Sequence, residues 1–231
     1  MKNEFVATQN VTTFNDACAE LESPASLIGP SIGMVTGQAG RGKSEAAKHY
    51  AAQTEAIYLP PLNVRTPTMI LREITFELCN VKPGRSDTCL AMIGEEMGKQ
   101  RRLIIIDEAD LLTMQVLEML RNVNERFSCP ILLIGEQELK GKIASRRRLA
   151  SRIRRRVEFA PLSQPDIALF FRKALDLKPA SEVISEIHRY AAGDWRPVLS
   201  VAIEIERALR ASGLEEASLD LVREIIKERK N

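Results

Sequence analysis

Residues 37–44 read Gly37-Gln38-Ala39-Gly40-Arg41-Gly42-Lys43-Ser44, the G-x-x-x-x-G-K-[ST] pattern, between an apolar run (Ile32 to Thr36) and a helix-forming run that starts at Glu45. The context carries the reading. Glycines let the backbone turn so that successive N–H groups face the β- and γ-phosphates of a nucleotide, and the following helix adds its positive end. Lys43 would contact those phosphate oxygens, and Ser44 would hold Mg²⁺ through its hydroxyl. Gln38, Ala39, Arg41 and Glu45 complete the stretch that would surround the phosphates. An accidental glycine-rich turn is the competing reading, and the strand before the motif and the helix after it count against that.

A second constellation, Leu103-Ile104-Ile105-Ile106-Asp107-Glu108-Ala109-Asp110, sets an apolar strand directly before two adjacent acids. In a parallel sheet that position is the carboxyl edge, where ligands bind. Asp107 would enter the Mg²⁺ shell, directly or through water, and Glu108 is placed to orient and deprotonate an attacking water. A nucleotide kinase excludes water and has no need of the second acid, whereas a hydrolase does. The alternative for Glu108 is the acidic start of a solvated helix, and Asp110 is read that way.

These residues need a scaffold. Short apolar runs at 32–36, 56–59, 103–106, 131–134 and 157–159 alternate with helical patterns, including Thr68 to Cys79, Thr88 to Lys99 and Met114 to Phe127. Strands alternating with helices imply a parallel sheet covered on both faces. The first helix is expected to begin at Thr13, where TFND has the form of a capping box. After Pro161 only helical periodicity remains, in four segments: Gln164 to Leu175, Ser181 to Ala192, Arg196 to Ala211 and Ala217 to Lys230. The expected organisation is an N-terminal helix and linker (1–30), an α/β domain with a five-stranded parallel sheet (31–162) and a small all-helical domain (163–231).

Composition narrows the class. Among 231 residues, 33 Lys+Arg against 31 Asp+Glu leave a formal charge of +2, with 45% hydrophobic residues; this is a soluble globular chain. The start MKNEFVATQN lacks the apolar core of a signal peptide and no apolar run approaches a membrane span, so a cytoplasmic protein without membrane contact is expected. Cys18, Cys79, Cys89 and Cys129 form no CxxC and have no histidine at ligand spacing, which points to reduced thiols. His49 and His188 lack a nucleophile or metal partner nearby and read as packing or surface residues, and Met114 and Met119 as core.

The near-neutral sum conceals one strongly charged segment. Seven arginines lie between 146 and 156 (146, 147, 148, 152, 154, 155, 156) with no acid among them. Such density suits a phosphate-backbone surface, with Arg146, Arg147, Arg148, Arg154 and Arg155 as DNA contacts; the alternative is a solvated helix face. Lys99, Arg101 and Arg102 form a second, weaker basic patch. No helix-turn-helix pattern or aromatic interleaving suggests base readout, so any DNA binding would be largely independent of sequence.

The motifs, their order and the all-helical tail resemble the AAA+ ATPases, from about Thr12 onward. Within that group they look most like the target-DNA ATPases of transposition: the B protein of transposing phages and its TnsC and TniB relatives. The resemblance implies an α/β P-loop domain with a helical lid, ATP and Mg²⁺ as ligands, ATP-dependent self-assembly into rings or filaments on duplex DNA, and a transposase as partner. It makes Glu136, after Ile131-Leu132-Leu133-Ile134-Gly135, the candidate at the sensor 1 position, where the family normally has a neutral polar residue. It makes Arg152 of Ser151-Arg152 the candidate arginine finger toward a neighbouring subunit, and Arg196 of Gly193-Asp194-Trp195-Arg196 the candidate sensor 2 arginine. The phage proteins carry an additional N-terminal DNA-binding region for which this chain leaves no room, so DNA contact is expected from the ATPase core. Other AAA+ roles, in replication initiation, loading or secretion, and a nucleotide-gated scaffold with little turnover are the competing functions.

Overall fold

The computed structural model describes residues 2, 4–61, 65–214 and 216–229. The chain divides into two compact units: residues 11–38 with 43–159, and residues 1–10, 39–42 and 160–231.

The larger unit holds β1 (Ile32–Thr36), α2 (Lys43–Gln53), β2 (Ile57–Leu59), α3 (Pro67–Cys79), α4 (Ser86–Lys99), β3 (Ile104–Ile106), α5 (Met114–Phe127), β4 (Ile131–Gly135), α6 (Gln137–Ala144), α7 (Arg147–Ala150) and β5 (Ile153–Glu158), with most of α1 (Gln9–Glu22). The strands form one five-stranded sheet in the order β2-β3-β4-β1-β5, and every pairing is parallel. Strands β1, β3 and β4 are buried along their whole length, as a sheet covered on both faces requires. On one face, Ile32, Ile104, Ile106, Ile131 and Leu133 join Ile70, Leu71 and Ile74 of α3, Ile93 of α4 and Leu117 and Leu120 of α5 in one core. On α1, Phe14 is fully buried and meets Tyr50 and Phe159 edge-on.

Three expectations change. Helix α1 begins four residues before Thr13, because the buried series Val11, Phe14, Ala17, Cys18, Leu21 continues the helical period back past that threonine; Thr13 is interior and caps nothing. Strand β5 starts at Ile153, so Arg154, Arg155 and Arg156 lie on an edge strand and not on a helix face. Helices α6 and α7, eight and four residues long, are too short to stand out as separate elements in the sequence.

The second unit holds α8 (Gln164–Ala174), α9 (Ser181–Ala191), α10 (Trp195–Ser212) and α11 (Leu219–Glu228) around a core of Phe171, Ile187, Val201, Ile205 and Val222. Three of its helix starts carry side-chain caps, and the last begins at Leu219, two residues after the expected Ala217, because Ser218 is the cap. Ser163 and Asp166 form a reciprocal capping box on α8, Asp194 caps α10, and Ser218 caps α11. Lys230, the expected end of the last helix, lies outside the described residues.

Candidate functional site

The sheet order sets the site. Strand β4 lies between β3 and β1, so the segments leaving β3, β4 and β1 emerge side by side at the carboxyl edge. In register, Thr36 pairs with Gly135 and Ile106 with Leu133. Asp107 and Glu108, Glu136, and Gly37 with Gln38 therefore leave adjacent strand ends. This is the crevice position of open parallel sheets.

At the end of β1 the Lys43 side chain is buried, and its Nζ donates to the carbonyls of Gly37 (2.7 Å) and Gln38 (2.9 Å), folding the loop around the ammonium. Ser44 is half-buried in the first turn of α2, while Glu45 is exposed and paired with Lys48 at 2.8 Å. The loop tip, Ala39 to Gly42, groups with the helical unit. There the Trp195 N–H donates to the Gly40 carbonyl at 3.0 Å and Arg41 donates to the Ala192 carbonyl at 3.3 Å. Gly40 has φ +75°, and a Cβ on it would lie 2.0 Å from Asp194 Oδ1. Only glycine satisfies both the backbone angle and the close approach. Arg196 follows in the first turn of α10, exposed, and its backbone N–H donates to Asp194 Oδ1 at 2.8 Å.

Asp107 is 3% exposed and held through both backbone and side chain. Its N–H donates to Leu59 O at 3.0 Å, its Oδ1 accepts from the Glu108 N–H at 3.0 Å, and its Oδ2 accepts from the Tyr58 hydroxyl at 2.8 Å. Burial and the Asp107 carboxylate push the Tyr58 phenol well above its usual range, so it stays a donor. Glu108 is exposed and takes the left-handed conformation at φ +49°, a local cost of about 1 kcal/mol or more that surrounding structure must impose. Asp110 supplies part of that. Its Oδ1 accepts the Glu136 N–H at 3.0 Å, and a Cβ on Gly135 would fall 2.3 Å from the same oxygen. Lys142 donates to the carbonyls of Asp110 and Leu112. Asp110, in the first turn of a short 3-10 helix (Ala109–Leu111), is thus also a clip between the ends of β3 and β4. Glu136 itself is exposed at the start of α6.

Arg152 precedes β5, whose first residue pairs with Ile32, the first residue of β1. That level is four residues or roughly 13 Å from Thr36, and Arg152 lies one residue beyond it, at the amino edge of the sheet. Its Nε pairs with Glu125 at 2.7 Å.

The arginine cluster divides. Arg146, Arg147 and Arg148 are exposed and line a groove of about 700 Å³ with Pro67, Met114 and Met119. Arg154, by contrast, donates to the carbonyls of Ile28, Pro30 and Ala25 and pairs with Glu20, which Arg155 also faces at 3.8 Å. Charge density alone makes both of them DNA contacts, yet Arg154 is turned to the protein itself, while Arg155 stays exposed on the edge strand beside Glu20. The second basic patch dissolves similarly. Lys99 pairs with Glu95 and Glu96, Arg102 donates to Glu55 O, and Arg101 binds the carbonyls of Leu21, Glu22 and Ser128 and the Ser26 hydroxyl. Tyr58 and the clip made by Asp110 have no signal in the sequence. Within Ile57-Tyr58-Leu59 a tyrosine reads as core, and nothing in that run tells where its hydroxyl points.

The parallel sheet, the phosphate loop after its β1 and the acid pair at its carboxyl edge define a P-loop nucleotide-binding domain of the AAA kind. The AAA domain family model matches residues 28–143, and the chain belongs to that family. It is similar to the ATP-dependent target DNA activator B of Escherichia phage Mu, 29% identical over 146 residues that cover 59% of this chain and 47% of the phage protein. The chain thus spans about half the length of that relative. It is also similar to the general secretion pathway protein A of Aeromonas hydrophila, 26% identical over 69% of this chain and 34% of that protein. Among solved structures, Cdc6p from Pyrobaculum aerophilum shares the fold with a TM-score of 0.70 and 17% identity, covering 98% of this chain and 69% of that one.

Proposed function

We propose that this chain is an ATP-dependent DNA-binding ATPase that assembles on duplex DNA and presents it to a transposase, with hydrolysis resetting the assembly. The observation that carries the reading is the meeting of Lys43, Asp107 and Glu108 at one carboxyl edge, in a chain similar to a phage target-DNA activator.

The roles follow from the chemistry of each group. Lys43 neutralises phosphate charge. Glu108, exposed beside the buried Asp107, receives the proton of the attacking water. Oxygen donors suit Mg²⁺, which takes one or two protein ligands and completes its shell with phosphates and water; Ser44 and Asp107 would hold it, and it would neutralise charge developing on the phosphoryl group. Arg152, at the amino edge, is too far from its own chain's phosphate loop to act there, which supports a role toward a neighbour's nucleotide and couples hydrolysis to assembly. Arg196 would contact phosphates through its guanidinium. The exposed Arg146, Arg147 and Arg148 are the DNA contacts that fit best, since a sequence-independent backbone surface needs guanidinium groups that face solvent.

The test is ATP hydrolysis with and without non-specific duplex DNA, with assembly followed by negative-stain imaging. Glu108→Gln is expected to keep nucleotide binding and slow hydrolysis by at least about 100-fold. Absence of DNA binding at low salt overturns the transposition reading. That result would favour a second reading, an AAA ATPase of a secretion machinery, which the likeness to the Aeromonas protein supports. Nucleotide binding without turnover would instead identify a nucleotide-gated scaffold.

A further inference from the structure

The Tyr58 side chain leaves a short apolar strand, yet its hydroxyl ends on the acid at the centre of the site. We infer that Tyr58 is a positioning residue that fixes the rotation of the Asp107 carboxylate for its metal-shell role, through the 2.8 Å bond from its hydroxyl to Asp107 Oδ2. The inference rests on the ATPase reading above.

Register builds the contact. Tyr58 on β2 pairs with Ile105 on β3, and Asp107 stands two residues further, so it shares the face of Ile105. The offset is roughly 6.6 Å along the strand, a span that a tyrosine ring and hydroxyl cover and that a serine or threonine at the same position would not. The Asp107 N–H, bound to Leu59 O, holds the backbone beside β2. The carboxylate is then held at two points, Oδ1 by the Glu108 N–H and Oδ2 by Tyr58. Rotation about Cβ–Cγ breaks both. In a residue only 3% exposed, water cannot freely replace either donor. Two-point holding leaves the remaining lone pairs of each oxygen in fixed directions, which an octahedral cation of low geometric tolerance requires. The Glu108 N–H is a backbone donor that almost any residue there would supply, whereas the phenol is a contribution of this sequence.

The experiment uses the full chain, MgCl₂ and a methylanthraniloyl ATP analogue. Nucleotide affinity is measured as Mg²⁺ is titrated and again in EDTA, beside a thermal melt of each variant. For Tyr58→Phe, which keeps the ring, the Mg²⁺ concentration giving half-maximal tightening is expected to rise about tenfold, equivalent to ~1.4 kcal/mol, with affinity in EDTA unchanged. In an Asp107→Asn background the same substitution is expected to change the Mg²⁺ response less than about twofold, as non-additive partners do. A Tyr58→Phe variant that melts earlier but keeps the wild-type Mg²⁺ response shows a purely structural hydrogen bond and overturns the inference. If the wild-type chain binds the analogue without any Mg²⁺ dependence, the metal role of Asp107 fails and the positioning role fails with it. If the wild type responds to Mg²⁺ and Tyr58→Phe responds identically, the ATPase reading stands and Tyr58 alone is refuted.

Discussion

Replacing Arg101 by lysine keeps the positive charge and removes the fork. In the native protein this guanidinium closes the ends of two helices at once. NH1 and NH2 donate to the Glu22 and Leu21 carbonyls in the last turn of α1 (both 3.2 Å), and Nε donates to the carbonyl of Ser128, the left-handed cap of α5, at 2.7 Å. NH2 also reaches the Ser26 hydroxyl at 2.6 Å. These are the carbonyls that a helix leaves without partners, at the end where a cation is favoured. A lysine ammonium can serve one helix end and not both, so at least two charge-assisted bonds are lost. At roughly 1 kcal/mol each after allowance for solvent, Arg101→Lys should cost about 2 kcal/mol, and Arg101→Ala about 3–4 kcal/mol. For a chain of this size 1 kcal/mol corresponds to about 2–4 °C, so the lysine variant should melt about 4–8 °C earlier by calorimetry. Its salt dependence of DNA binding should match the wild type. A melting point within about 1 °C of wild type would refute the double-cap argument, and a flattened salt slope would return Arg101 to a DNA-contacting role.

The same logic separates the arginine-rich segment: Arg147→Ala with Arg148→Ala should reduce the salt slope of DNA binding by up to about 0.9 for each phosphate no longer neutralised, whereas Arg154→Ala should lower stability by ~1–3 kcal/mol in urea unfolding and leave the slope unaltered. For Arg152, neither its alanine variant nor Glu108→Gln should turn over alone, but an equimolar mixture should regain measurable hydrolysis at interfaces that pair an intact finger with an intact site; no recovery would remove the role in trans. Burial pushes the Cys129 thiol up to about 12 and the Cys18 thiol higher still, so both remain protonated and unreactive through about pH 9. Titration with a thiol reagent at about pH 8 should therefore modify the partly exposed Cys79 first, and Cys18 and Cys129 only on unfolding.

Much of the architecture is legible because it is written in local rules. The five apolar runs, the four C-terminal helices and the loop of residues 37–44 each announce themselves through spacing of about 2 or 3.6 residues, or through glycine at fixed offsets; the Ser163, Asp194 and Ser218 caps fix the helix starts only in the structure. The start of α1 misleads, because TFND offers a capping pattern inside a helix whose buried face already extends back to Val11.

Charge behaves differently, and here the sequence by itself determines only that arginines are concentrated between 146 and 156. Which of them face solvent is decided by the edge position of β5 and by the chain before β1, which together turn Arg154 toward three carbonyls and leave Arg146, Arg147 and Arg148 outside. Residue types and short-range spacing suffice to identify the phosphate loop and the acid pair, since a strand, a turn and a helix start involve neighbours in sequence. The side-chain partners that reach Asp107 and Asp110 from other strands lie 49 and 26 residues away. Such pairings depend on strand order and register, which long-range packing selects, so only the tertiary structure could assign Tyr58 to Asp107, clip Asp110 to Glu136 and set Arg152 at the edge opposite its own phosphate loop.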